Sequence, residues 1–503
     1  MLDLLLIPVA IAYIAIICAM FLYGINFLYM TWLTVRHPRP DLEVKLPAVL
    51  PRVTVQLPVY NEMYVAERLV EAAARLEYPS GLLEIQVLDD STDETGRILE
   101  KTVERLKGRG INVVRLHRTD RSGYKAGALA AGMEAASGEF LAVFDADFVP
   151  QSDFLLKTIP YFSDPKVAFI QTRWGHLNRP YSLLTRLQSL AIDAHFMIEQ
   201  FARSQGGYWF NFNGTAGVWR KSAIVTAGGW TADTLTEDLD LSYRVFFKGW
   251  RAVYLRDVEV PAELPVSMAA FRRQQQRWAR GSLECSLKHL PQVWRGPAPL
   301  SMKVAATFHL TGYGVHLLQF MLCFLYPLVL ILTSQYPGLT GLWGIALIFN
   351  LTAFAPTIFF MVAQQQLGRN LLRLLPMTLF LNVTGSGMMV NTAWAAGQIL
   401  LHRSAAFERT PKFGVENRKV DWAGRRYQLR LQPIVLFEIG LGLLNLGTAW
   451  LAVSLHNLGI ALYALIYSAG LLYIAGFSIF QSLEIQRRRP VRIPAGRETH
   501  ANP

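Results

Sequence analysis

Three short clusters in this chain have residue types and spacing suited to chemistry on a phosphorylated substrate. Asp145 and Asp147 stand two apart in 145-DAD-147, directly after the apolar run 140-FLAVF-144. Residues two apart at a strand end project toward one point. Paired hard oxygens there suit Mg2+ or Mn2+ bridging a diphosphate. The plainer alternative is acidic residues that terminate a strand and cap a helix. In 236-TED-238, Asp238 opens a helical pattern that runs to Phe247. It is either a favourable charge at a helix N-terminus or a general base that deprotonates an acceptor hydroxyl. In 274-QQQRW-278, Gln274, Arg277 and Trp278 fall at i, i+3 and i+4, hence on one helix face. Arg can grip a phosphate and Trp can stack on a sugar ring. The alternative is an interfacial helix with a snorkelling Arg and a Trp at the membrane boundary. Lys125 in 123-GYKAG-127 either reaches a donor phosphate or is a solvated lysine, and His195 is a donor or a core residue. No arrangement resembles a nucleophilic triad. Gly-rich loops of the Rossmann or P-loop type are absent, which disfavours a hydride-transfer enzyme or an ATPase.

These residues need a frame, and residues 45–265 supply one by alternating short apolar runs with helical patterns. The runs are 52-RVTVQL-57, 84-EIQVL-88, 111-INVVRL-116, 140-FLAVF-144 and 167-VAFIQ-171, with helices expected over 64–76, 94–107 and 125–136. Continuous apolar strands separated by helices indicate a mainly parallel sheet covered on both faces. Ligands of such sheets bind at the carboxyl ends of strands. There the chain places 58-PVYNE-62, 89-DDSTDE-94 and 145-DAD-147.

The rest of the 503 residues is apolar enough for a membrane. Hydrophobic residues make up 52% of the chain, concentrated at the N-terminus and in the last two hundred residues. Five segments, roughly 4–34, 304–333, 341–363, 432–455 and 458–481, are long enough to cross a bilayer. The first reads as an anchor, since it lacks a basic start and a cleavage site. Segment 374–401 is broken by Asn382, Thr384, Ser386, Asn391, Thr392, Trp394 and Gln398. Basic residues Arg369 and Arg373 precede it, and eight Lys or Arg against three acids follow in 402–430. Both flanks therefore read as cytoplasmic, and the segment is expected to lie along the interface. Arg36, Lys303 and Arg487–Arg489 place the catalytic domain and C-terminus on the same side. The net charge of +12 sits beside apolar runs, so it suits membrane lipids, and no nucleic-acid module is visible. Cys18, Cys285 and Cys323 are scattered, which argues against disulfides and for a reducing compartment.

The order PVYNE, DDS, GYKAG, DAD, FNGTAG, TED, QQQRW resembles the processive, inverting glycosyltransferases of family two, the cellulose-synthase superfamily, over roughly residues 50–290. Stretches 184–200 and 211–220 look most like the cellulose-synthase-like A and C branches, which make glucomannan backbones and the β-1,4-glucan backbone of xyloglucan. The resemblance implies an α/β GT-A fold inserted between transmembrane helices. It implies that Tyr60, Glu62 and Asp90 meet the nucleotide, with Lys125 and Asp145 near the diphosphate. Asp147, with Asp145, would hold Mg2+ or Mn2+, and Asp238 beside Glu237 would be the base. Gln274 and Arg277 would hold the leaving diphosphate. Trp278 would stack on the acceptor, whose entrance Phe212, Asn213 and Gly214 would line. The family's F-x-V-T-x-K gating loop has a counterpart in 407-FERTPK-412, with Phe407, Thr410 and Lys412 in register and Arg409 in place of valine.

The expected division is an N-terminal transmembrane helix (1–35), a cytoplasmic catalytic domain (36–265) and amphipathic interface helices (266–302). Two transmembrane helices (303–365), an interfacial or re-entrant segment (366–401), a gating loop (402–430), two more transmembrane helices (431–482) and a cytoplasmic tail (483–503) follow. The expected activity is polymerisation of glucose or mannose from a nucleotide sugar, UDP-glucose slightly ahead of GDP-mannose, onto a growing β-linked polysaccharide that is then translocated. A bacterial inner or plasma membrane is the expected location. Only about twenty polar residues follow the last span, so regulation by cyclic di-GMP through a PilZ-like domain is not expected. Tyr313, His316, Gln319, Asn350, Glu438 and Asn445 either line a sugar path or bind helices together. A glycolipid synthase that adds one sugar, and a sugar-binding receptor built on a dead transferase domain, are the alternatives.

Overall fold

The structure, a computed structural model, describes residues 2–37, 45–336, 350–403, 408–417 and 420–488. Five expected strands form, and two more join them. They are β1 (Val53–Val59), β2 (Leu83–Asp89), β3 (Val113–His117), β4 (Phe140–Val143), β5 (Val167–His176), β6 (Gly217–Arg220) and β7 (Arg251–Ala262). The sheet order is β3-β2-β1-β4-β6-β5-β7. β1 pairs in parallel with both β2 and β4, whereas β6 runs antiparallel between β4 and β5. The short run 217-GVWR-220 and the charged 251-RAVYLRDVEVPA-262 lack the apolar continuity that marks the other strands. Their pairing is set by neighbours.

Val53, Val55, Leu57, Ile85, Val87, Leu141 and Val143 are wholly buried because helices cover both faces of the sheet. Burial of each such side chain is worth about 1.5–3 kcal/mol. The expected helices form at Ala66–Ala74, Glu94–Lys107 and Tyr124–Ala135. Asp93 caps the second of these by accepting the Thr95 backbone N–H at 2.9 Å. The chain leaves β1 toward β2 on one side and returns through β4 on the other. The crevice between the β1 and β4 carboxyl ends is therefore the topological switch point where ligands of open sheets bind.

Four helices among the described residues are long and apolar enough to cross a membrane: Ile7–Arg36, Gly314–Gln335, Ile434–Ser454 and Leu458–Arg488. The expected span 304–333 is not one helix. It divides into Leu300–Leu310 and Gly314–Gln335. Ser282 and Ser286 hydroxyls donate to the Leu310 carbonyl at 2.8 and 2.9 Å, and Tyr23 donates to the Thr311 carbonyl at 2.9 Å. These bonds satisfy the carbonyls of a helix end, so the apolar run turns where its composition alone would carry it straight on. Segment 374–401 also breaks, into Leu371–Gly387 and Met389–Leu400. Of the expected span 341–363, residues 341–349 lie outside the described residues, Asn350–Thr352 form a short 3-10 turn, and residues from Ala355 onward enter the helix Ala355–Gln366.

Three of the polar groups in or beside the apolar helices, Tyr313, His316 and Glu438, tie separate elements together. His316 Nδ1 lies 3.1 Å from the Thr392 hydroxyl, and the Tyr313 hydroxyl donates to Gln275 Oε1 at 3.4 Å. Asn445 donates to its own helix at the Leu441 carbonyl, and Glu438 pairs with Arg272. The side chain of Asn350 lies outside the described residues.

Candidate active site

A cleft of about 1250 Å³, including its open mouth, sits at the switch point. Tyr60, Glu62, Asp90, Lys125, Asp145, Asp147, Asn213, Gly214, Glu237, Asp238, Gln274, Arg277, Trp278, Thr410 and Lys412 all line it. The parallel pairing of β1 with β4 brings Glu62 and the two DAD aspartates together. Asn61, in a left-handed turn at φ 54°, ties the β1 end to the β2 end. Its backbone N–H donates to Ser91 Oγ at 3.0 Å, and its Oδ1 accepts Thr92 N–H at 2.8 Å. Asp89 is taken up structurally by Arg115 at 2.8 Å. Asp90 faces the cleft while Arg118 grips both its oxygens, at 2.8 and 2.6 Å.

Each DAD carboxylate meets an ammonium. Lys125 Nζ lies 2.5 Å from Asp145 Oδ1, 3.8 Å from Glu237 Oε1, and donates to the Gly214 carbonyl at 2.9 Å. Lys125 is therefore neither solvated nor free to roam. Burial pulls against its charge, but Asp145 and Glu237 outweigh burial and raise its pKa. Lys412 Nζ donates to Asp147 Oδ2 at 2.7 Å. Burial raises the Asp145 pKa despite Lys125, and pushes Glu62 up to about 8, with Arg409 opposing. Glu62 Oε2 is buried with no hydrogen-bond partner among the described residues.

This excess of buried carboxylate oxygen fits a hard divalent cation. Among the described residues no three His, Cys, Asp or Glu side chains converge to hold a metal by themselves. Asp145 and Asp147 could supply two oxygen donors. Mg2+-type ions commonly take only one or two carboxylates and complete their shell with substrate phosphate and water.

The helix Glu237–Phe247 begins with three acids of different fates. Asp240 is held by Arg244 and His289 at 2.8 Å and by Lys288 at 2.5 Å. Those partners overcome burial and keep its carboxyl well below the usual range. Asp240 is thus the structural acid of this turn. Asp238 has no such cations in bonding contact among the described residues. Its Oδ1 accepts the Leu239 N–H at 2.8 Å. Burial, reinforced by Glu237, pushes its pKa up to about 7. That value suits a general base near neutrality. Gly214 makes the approach possible. A Cβ there would lie 3.1 Å from Asp238 Oδ2 and 3.3 Å from Lys125 Nζ, on a backbone at φ +78°.

Ser267 caps the helix Met268–Arg295 through the Ala270 N–H at 3.1 Å. Gln274, Arg277 and Trp278 enter the cleft together, as the i, i+3, i+4 spacing requires. The Trp278 ring lies 6.4 Å from that of Trp174. The helix seats on the TED turn at Gly281, where a Cβ would lie 2.5 Å from Thr236 Cγ2.

Phe212 does not line an acceptor entrance. It is fully buried, its ring 5.2 Å from Trp219 and 5.9 Å from Phe169. In an extended segment neighbours alternate sides, so Phe212 enters the core and Asn213 the cleft. Asn213 Nδ2 donates to His195 Nε2 at 3.0 Å, and His195 Nδ1 faces Glu199 Oε2 at 3.0 Å. His195, open on sequence grounds, therefore supports Asn213. Phe407 lies outside the described residues.

The cleft also holds residues without a sequence signature. Arg409 reaches Glu62 at 3.4 Å and stacks 4.1 Å from the Tyr427 ring centroid. Arg121 stacks 3.5 Å from the Tyr60 centroid. Buried Glu263 accepts the Phe413 N–H at 2.8 Å, and its carbonyl accepts Lys412 Nζ at 2.6 Å. The Arg-for-valine change at 409 was the one visible hint, since a cation in a loop beside strand-end acids seeks a carboxylate.

Residues 51–281 match the family model described as glycosyltransferase like family 2. The "Probable glucomannan 4-beta-mannosyltransferase 2" of Oryza sativa subsp. japonica is 41% identical over 322 residues, covering 61% of this chain and 55% of that protein. The "Glucomannan 4-beta-mannosyltransferase 7" of Arabidopsis thaliana is 40% identical over 302 residues, covering 58% and 54%. The chain spans about half the length of the curated relatives it matches. These plant relatives give no support to a bacterial membrane as the location. The solved structure titled "Mannosyltransferase PcManGT from Pyrobaculum calidifontis in complex with GDP-Man and Mn2+" aligns with a TM-score of 0.51 at 21% identity, over 79% of this chain and all of that one, a likeness of fold.

Proposed function

Because the chain carries a family-two glycosyltransferase-like domain over residues 51–281 and belongs to the cellulose-synthase superfamily, we propose that it is an inverting, processive β-hexosyltransferase. It polymerises mannose, in a glucomannan-type product, from a nucleotide-sugar donor. The observation that carries this reading is the meeting of Asp145, Asp147, Asp238, Gln274, Arg277 and Trp278 in one cleft. Nothing in the relatives' names supports the slight preference for UDP-glucose. Their names specify mannosyl transfer, so GDP-mannose is the proposed donor.

Tyr60, Glu62 and Asp90 lie at the nucleotide end of the cleft. Asp147 and Asp145 would hold Mg2+ or Mn2+, which would supply positive charge against the diphosphate. Arg277 and Gln274 hold the departing diphosphate, and Trp278 carries the acceptor sugar on its face. Asp238 takes the proton from the acceptor hydroxyl. That oxygen forms the new bond to the anomeric carbon as the bond to the diphosphate breaks on the opposite side. With one base and no separate nucleophile, configuration inverts and an α-linked donor gives a β-linkage. Thr410 and Lys412 close the donor end of the cleft. The domain stands on the cytoplasmic side of a multi-pass membrane protein, and the helices beyond it thread the product across.

Membranes containing the full chain are supplied with labelled GDP-mannose or UDP-glucose and Mg2+ or Mn2+, and the product is digested with linkage-specific hydrolases. The expected product is a long chain cleaved by β-mannanase. Incorporation of a single sugar per lipid would sink the polymerase reading.

A further inference from the structure

The helix Met268–Arg295 presents Gln274, Arg277 and Trp278 to the cleft, and its other face is bonded to the membrane helices. Arg272 Nη2 donates to Glu438 Oε1 at 2.7 Å, and Nη1 to Glu438 Oε2 at 2.9 Å, a two-pronged pair. Nη1 also reaches Ser478 Oγ at 3.3 Å, and the Arg272 carbonyl accepts Asn391 Nδ2 at 2.9 Å. Both charged side chains are buried. One residue of the cleft helix is thus tied to three membrane-region helices, Met389–Leu400, Ile434–Ser454 and Leu458–Arg488. Further along the same face, Gln276 Nε2 and Arg280 Nη1 each approach Gln398 Oε1 at 3.4 Å, and Arg280 Nη2 donates to the Arg403 carbonyl at 2.6 Å.

Holding helices together does not require a buried ion pair, because well-packed apolar residues of similar volume generally stabilise as well or better. A bidentate fork adds direction, since it accepts its partner in one plane and one register. At 100° per residue, positions 272 and 276 lie about 100° or more around the helix from each of 274, 277 and 278, while 280 lies beside 277. Rotation or sliding at Arg272 is therefore transmitted directly to the cleft face.

We propose that Arg272 and Glu438 are positioning residues for the transfer reaction: their pairing fixes the rotation and height of the cleft helix against the membrane helices, and thereby where Arg277 and Trp278 meet the leaving diphosphate and the acceptor sugar. This rests on the transferase reading of the cleft. Glu438 touches neither substrate. It acts on the reaction from within a membrane helix, through Arg272.

The test uses the full chain in lipid nanodiscs with Glu438→Gln, Arg272→Lys and the double variant Arg272→Met/Glu438→Leu. Transfer rates, donor KM and thermal midpoints are measured on each. In the single variants kcat falls about 10- to 100-fold while donor KM stays within about twofold, because the nucleotide end of the cleft is built on β1 and β2. The double variant regains the wild-type thermal midpoint but keeps the low kcat. Recovery of wild-type kcat together with stability in the double variant would show packing alone and overturn the proposal. Unchanged kcat per folded molecule in the single variants would overturn it equally, and those variants decide the matter if the double variant does not fold. Absence of hexose transfer by the wild-type chain removes the proposal together with its premise, and is seen before any variant is compared.

Discussion

Lys412 Nζ lies 2.7 Å from Asp147 Oδ2, although 265 positions separate the two in the chain. The ammonium occupies an oxygen that the proposed divalent cation would use, and the same lysine is anchored by the Glu263 carbonyl at 2.6 Å. The segment carrying it also sends Arg409 to Glu62. Two cations of this segment thus sit against two carboxylates of the cleft.

Lys412→Gln removes one of those cations. The Mn2+ concentration giving half-maximal activity falls, because the ion no longer competes for Asp147, while kcat falls because the loop loses its grip on the site. A Mn2+ titration of initial rates, paired with Mn2+ binding followed by electron paramagnetic resonance, measures both. An unchanged half-saturation point would mean that Lys412 and the ion do not compete.

Asp238→Asn keeps the size of the side chain and removes its basicity. Transfer falls by about 10²–10⁴-fold, the usual worth of a positioned general base, with donor-nucleotide binding retained. Initial rates set against protection of the protein by bound nucleotide separate the two effects. Turnover near the wild-type rate would refute the assigned base.

The pH dependence follows from the raised pKa of Asp238, about 7. Only the ionised form accepts a proton, so kcat/KM rises with pH and levels off above about 7. Glu237 contributes to the upward shift through its negative charge. Glu237→Gln therefore lowers the Asp238 pKa and moves the acid limb to lower pH. A limb that stays in place or moves up would show that Glu237 does not act on the base through its charge.

Gly214→Ala places a methyl group 3.1 Å from Asp238 Oδ2 and 3.3 Å from Lys125 Nζ, at φ +78°. The left-handed backbone alone costs about 1–2 kcal/mol. The larger effect is displacement of the base, so activity falls much further than thermal stability. Comparing kcat with the unfolding midpoint checks this, and a proportionate loss of both would contradict it.

Much of the catalytic domain was legible because its signals are local. Continuous apolar runs such as 140-FLAVF-144 form β-strands buried on both faces, and the expected helices at 94–107 and 125–136 form within a residue of their expected limits. The i, i+3, i+4 spacing places Gln274, Arg277 and Trp278 on one face regardless of surroundings. β6 and β7 escaped because their residues lack continuous apolarity, and pairing with β4 and β5 decides their conformation. Phe212 was misplaced because a motif gives the neighbourhood of a residue but not which side of the chain it faces.

The sequence by itself determined the α/β frame, the carboxylates at its strand ends, the helix face bearing QQQRW and the apolar runs suited to a membrane. Each of these follows from periodicity over a few residues. Only the tertiary structure decided which charges neutralise one another: Lys412 with Asp147, Arg409 with Glu62, Arg272 with Glu438, and Asp240 rather than Asp238 as the structural acid. It also decided that the run 304–333 turns at Thr311. The physical reason is that a charge takes its environment from whatever distant segments fold against it. Hydrophobicity measures how strongly a segment avoids water but carries no information about where its helix must end.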